Sequence, residues 1–167
     1  MKQLSQDELM SFSQAVGKLL QEKQFMLASA ESCTGGLIGH LITEVSGSSA
    51  YFAGGAIVYS YEAKERVLGV RQDTLMRVGA VSYEVAQEMA RGALKLYHAD
   101  LAVAVTGVAG PGGGSPDKPV GTVHIHLAAK DGFERAERFL WQSDRSGNKI
   151  LSAQAALEMV WDYLQQN

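Results

Sequence analysis

Apolar residues along this chain recur at two spacings, and the changes between them predict an alternation of helices and strands. Leu9, Phe12, Val16 and Leu19 follow one another at helical intervals. Just before them, Ser5 and Glu8 have the spacing of a capping box, so a helix is predicted over residues 6–22. The short apolar run at 25–30 reads as a buried strand. Thr34-Gly35-Gly36 opens a second helix carrying Leu37, Ile38, Leu41 and Ile42, and Gly47-Ser48-Ser49 breaks it. Residues 51–60 read as a long strand in which Gly54-Gly55 marks a bulge or a close backbone approach. A short helix over residues 62–68 ends at Gly69, and Ser82 caps another whose inner face is Val85, Met89, Ala93 and Leu96. Residues 101–105 are apolar throughout, as in a central parallel strand. Beyond a Gly- and Pro-rich stretch at 106–119, Val123, Ile125 and Leu127 alternate with Thr122, His124 and His126, the pattern of a half-exposed strand. Asp131-Gly132 is a hairpin turn that sends residues 133–141 back antiparallel. A last helix starts near Arg145 and buries Ile150, Leu157, Trp161 and Leu164. Met10, Met26, Met76, Met89 and Met159 are scattered and read as core fillers.

Helices interleaved with strands predict an α/β fold. The expected form is a three-layer α/β/α sandwich with a mixed, mostly parallel sheet and a C-terminal antiparallel hairpin. A chain of 167 residues without repeats or linkers is read as one domain over residues 1–167. The net charge of -3 argues against nucleic acid as a partner, though it leaves room for one small anionic ligand. No run reaches the ~18 apolar residues of a membrane span. Cys33 is the single cysteine, so no intrachain disulfide forms, and the N-terminus lacks the apolar core of a signal peptide. A cytoplasmic location is the expectation.

Three segments carry candidate chemistry. In Ala30-Glu31-Ser32-Cys33-Thr34-Gly35-Gly36 a buried strand ends and a helix begins, where open α/β sheets bind ligands. Ser32 is placed there to attack a carbonyl while neighbouring amides hold the oxyanion, although Ser32 or Thr34 as a plain helix cap accounts for the same spacing. Cys33 is a rival nucleophile, but adjacent residues in an extended turn face opposite ways, and an inert buried thiol is preferred. The second segment is Tyr59-Ser60-Tyr61-Glu62-Ala63-Lys64. A serine needs a base, and desolvation can lower a lysine pKa far enough for Lys64 to serve; a solvated helix charge is the plainer alternative. The third segment, Thr106 to Ser115, follows the most buried strand, and its glycines would let backbone amides close around an anion or ring edge. It matches neither the P-loop nor the dinucleotide fingerprint, and a flexible surface loop is the alternative. His124 and His126 lack an evident third metal ligand. Arg145 stands at the start of the last helix as a candidate phosphate contact.

Taken together these segments resemble the CinA C-terminal domain family, in particular its stand-alone nicotinamide-nucleotide amidohydrolases. Gly47-Ser48-Ser49, Leu68-Gly69-Val70, Gly79-Ala80-Val81-Ser82 and Lys118-Pro119-Val120-Gly121-Thr122-Val123 complete the match in one register over roughly residues 8–165. The resemblance implies a hydrolase with no metal and no cofactor. Its substrate would be nicotinamide mononucleotide, converted to nicotinic acid mononucleotide and ammonia in pyridine nucleotide recycling. Ser32 would be the nucleophile, Lys64 the base, and Tyr59 or Tyr61 an assistant that the sequence does not separate. Thr34, Gly35, Gly36, Thr106, Gly107, Gly110, Gly112 and Arg145 would bind substrate. Position 61 is tyrosine where relatives often carry asparagine. Larger family members add an N-terminal domain absent here, so no pyrophosphatase activity is carried over. A homodimer is the expected assembly.

Overall fold

In the computed structural model, which describes residues 2–166, β1 (Leu27–Glu31) lies second from one edge of a sheet of five strands. On one side it pairs in parallel with β2 (Phe52–Ile57), on the other with β3 (Leu101–Gly107). β4 (Thr122–Ala129) then runs antiparallel to β3, and β5 (Glu134–Leu140) antiparallel to β4. The order β2-β1-β3-β4-β5 thus has four strands pointing one way and β4 opposed. Around the sheet stand α1 (Gln6–Glu22), α2 (Leu37–Thr43), α3 (Tyr61–Leu68), α4 (Gln72–Val78), α5 (Tyr83–Leu96) and α6 (Arg145–Gln166). The capping box at Ser5 and Glu8 forms as the sequence predicts.

Strand alternation divides the core in two. One face of the sheet carries Leu27, Val103, Val105, Val123, Ile125 and Leu127 and is covered by α1, α2 and α6. Burying each such side chain contributes about 1.5–3 kcal/mol. The other face carries Ala28, Ala30, Ala102, Ala104 and Ala128, against Val85, Met89, Ala90 and Ala93 of α5. Small residues on both partners bring α5 close to the sheet. The same alternation carries Ser32 and Thr106 toward the alanine face, while Cys33 joins the opposite cluster.

Several expectations need correction. β4 is buried on both faces rather than half-exposed: Thr122 and His126 have no exposed surface because α5 lies over the polar side of the strand. β2 stops at Ile57, three residues short of the predicted end, and α4 was not predicted. Leu96 and Met76 are 46% and 75% exposed, so neither belongs to the core.

Candidate active site

The site lies where β1 and β3 end side by side. Ser32 leaves β1 with its N–H still donating to Val105 O at 3.0 Å, which fixes it beside the end of β3. The chain then turns through Gly35 and Gly36, at φ +65° and +97°. Both are left-handed conformations that strain any residue with a Cβ, which is why two glycines stand there.

The residues at 58–60 leave the sheet after β2, and Ser60 caps α3 through the Ala63 amide at 3.1 Å. Val58 keeps its N–H on Glu31 O at 2.8 Å, while its carbonyl and that of Tyr59 turn inward. Lys64, one turn into α3, reaches back beneath it with no exposed surface. Its Nζ lies 2.6 Å from Val58 O, 3.3 Å from Tyr59 O and 2.9 Å from Ser32 Oγ. Desolvation lowers the amine from the usual 10.5 to about 8, with the nearby Cys33 acting weakly the other way. The arrangement suits both protonation states. The ammonium donates three hydrogen bonds; the neutral amine keeps two on the carbonyls and turns its lone pair to the serine hydroxyl.

These groups open on a cavity of about 240 Å³. Its walls include Ser32, Cys33, Tyr59, Lys64, Thr106, Gly107, Gly110, Gly112 and Arg145, so the three candidate segments meet in one place. Arg145 Nη1 donates to Gly110 O at 2.6 Å and Nη2 to the Tyr59 hydroxyl at 3.3 Å, joining two walls of the cleft. Ala80 and Val81, from the α4–α5 link, complete the lining.

Four predicted site residues lie elsewhere. Thr34, Gly35 and Gly36 do not line the cavity. The Gly35 N–H is taken by Ser32 O and the Gly36 N–H by the Glu31 carboxylate, so neither amide is available as an oxyanion donor. The two tyrosines are also separated. Tyr59 lines the cavity, whereas the Tyr61 hydroxyl stands behind it and accepts the Ala80 N–H at 3.2 Å. Thr106 holds the other side of the same residue, its hydroxyl donating to Ala80 O at 2.8 Å. Cys33 is buried, and desolvation pushes its thiol up to about 12, far from a reactive thiolate.

Sequence reasoning missed Asn148 and Glu31. Asn148 is buried on α6, donating from Nδ2 to Ala109 O at 3.0 Å and so tying the glycine-rich wall to that helix. No local spacing announces it. Glu31 belonged to the recognised segment, yet a carboxylate among apolar strand residues was itself a signal.

The sequence profile of the CinA C-terminal domain matches residues 9–164. The chain belongs to that family. A CinA relative of nearly equal length is the nicotinamide-nucleotide amidohydrolase PncC of Escherichia coli K12, 43% identical over 164 residues, with 98% of this chain and 99% of that protein covered. The CinA-like protein of Chlorobium limicola is 49% identical over 160 residues, but the match spans 93% of this chain and 37% of that longer protein. The solved CinA-type structures agree. The competence/damage inducible protein CihA of Agrobacterium tumefaciens superposes with a TM-score of 0.92 at 39% identity, covering 99% of both chains. A CinA superfamily protein of Enterobacter cloacae gives 0.89 at 29% identity, covering 98% of both.

Proposed function

We propose that this protein hydrolyses the carboxamide of nicotinamide mononucleotide to nicotinic acid mononucleotide and ammonia, with Ser32 as nucleophile and Lys64 as general base. The observation that carries the reading is the 2.9 Å approach of a fully buried amine to a serine hydroxyl in a cavity wall. Similarity to the nicotinamide-nucleotide amidohydrolase of Escherichia coli supports the choice of substrate.

In the first step the Ser32 oxygen attacks the carboxamide carbon as its proton passes to the Lys64 lone pair. The carbonyl oxygen takes up the negative charge. The donor suited to it is the N–H of Cys33, the residue after the nucleophile, a position that supplies oxyanion donors in other serine hydrolases. One such donor is worth about 3–4 kcal/mol of transition-state stabilisation. The Lys64 ammonium then gives its proton to the departing nitrogen, ammonia leaves, and an ester joins Ser32 to the nicotinoyl group. Water attacks that ester, again losing its proton to Lys64, and the serine is regenerated. Arg145 offers a fork of donors at the cleft wall for the substrate phosphate, with Tyr59 orienting it. Among the described residues no helix is long and apolar enough to cross a membrane. On this reading the protein recycles pyridine nucleotides in the cytoplasm, where a reducing environment suits the unpaired Cys33.

The test is ammonia release from nicotinamide mononucleotide against free nicotinamide, both with EDTA present. Turnover of the nucleotide, with free nicotinamide about 100-fold or more poorer, is expected of a pocket that binds the phosphate. Equal turnover of both, or release from neither, contradicts the assignment.

A further inference from the structure

Glu31 is a carboxylate inside the protein, 1% exposed, immediately before Ser32. Its Oε2 accepts the N–H groups of Gly36 at 3.0 Å and Ile38 at 3.1 Å, and its Oε1 accepts the N–H of Gly39 at 2.9 Å. The Ser29 hydroxyl stands 3.4 Å from Oε1. All four partners are uncharged donors. The side chain therefore does for α2 what a capping residue usually does, but from the preceding strand and across the intervening turn. The chain between residues 31 and 39 closes into a loop with the carboxylate at its centre and Ser32 on its rim.

We infer that Glu31 is the positioning residue of the nucleophile: its carboxylate holds the 32–36 turn so that Ser32 Oγ stays within reach of Lys64. The inference rests on the Ser32–Lys64 reading above. Both oxygens must accept, because an amide at this position would present an N–H to at least one backbone N–H. Burial is what chiefly keeps the neighbouring Cys33 thiol neutral, and Glu31 acts weakly in the same direction.

The experiment compares wild type, Glu31→Gln and Ser32→Ala by amide hydrogen exchange and by steady-state ammonia release from nicotinamide mononucleotide. In Glu31→Gln the amides of Gly36, Ile38 and Gly39 should exchange at least about 10-fold faster while those of α5 and α6 keep their protection. kcat should fall about 100-fold, with KM changed less than about threefold and the pH midpoint of kcat/KM unmoved, since burial rather than Glu31 sets the Lys64 pKa. A variant with loosened amides and full kcat, beside an inactive Ser32→Ala, overturns the positioning role and leaves the nucleophile assignment standing. An active Ser32→Ala overturns that assignment and the inference with it. Should Glu31→Gln not fold, Glu31→Asp keeps the charge but shortens the reach, and the same amides and the same kcat loss, about 10-fold, decide the matter.

Discussion

Raising the pH from about 7 to 9 should both activate this protein and stabilise its fold, and a single residue accounts for both effects. Burial lowers the Lys64 amine from 10.5 to about 8, while in the unfolded chain it titrates at its ordinary value. Between those two pH values the unfolded chain holds a proton that the folded chain lacks, so stability rises with pH across the window. At 1.36 kcal/mol per pH unit the whole span amounts to about 3 kcal/mol. Cys33 works in the opposite direction above pH 9. Its thiol is pushed from 9.0 to about 12 by burial, so the unfolded chain loses a proton that the folded chain keeps. Comparing wild type with Lys64→Met cancels this contribution, since both chains retain Cys33. In urea unfolding followed by circular dichroism, the stability of wild type relative to Lys64→Met should increase by about 2 kcal/mol from pH 7.5 to pH 10. Over pH 7 to 9 the wild-type kcat/KM should rise about tenfold as the neutral amine becomes dominant. Parallel stability curves for the two proteins, or a flat rate over that range, would refute the reasoning.

Three other outcomes follow from the geometry. Cys33→Ala should keep turnover within about threefold of wild type, and iodoacetamide should leave native Cys33 unmodified in intact-mass measurements, because its thiol is buried and far from ionisation. Tyr59→Phe should lower kcat/KM more than Tyr61→Phe, about tenfold against a few-fold, because the first hydroxyl contacts Arg145 within the cavity and the second only holds Ala80 from behind. Gly36→Ala should cost about 1–3 kcal/mol in urea denaturation, since it forces a Cβ onto a φ of +97° and to within 2.8 Å of Ile57 Cδ1.

How far the sequence carries depends on whether a feature is local. The capping box of α1, the all-apolar stretch 101–105 of β3 and the Asp131-Gly132 hairpin are set by neighbours in the chain, and the structure has them where the spacing predicts. α4 leaves little trace in the sequence because its cap, Arg71, makes no side-chain capping bond and only Thr74 and Leu75 are buried. β4 was misjudged because alternation records polarity, and a helix can cover Thr122 and His126 without changing their identity. The three site segments were each visible, but their meeting depends on β1 lying between β2 and β3, which no spacing encodes. The approach of Lys64 to Ser32 further needs β2 to end early, so that the Val58 and Tyr59 carbonyls can face the amine. The nine-residue closure through Glu31 has no local signature, because capping side chains ordinarily stand at the helix start rather than in the strand before it.

The proposed chemistry needs both members of one buried pair, so the most direct measurement is ammonia release from nicotinamide mononucleotide by Ser32→Ala and Lys64→Met, each checked for native circular dichroism. Both should lose at least about 10³-fold in kcat, and the double variant should lose little more, because the two groups act as a unit. Turnover within tenfold of wild type in either folded variant would contradict the account.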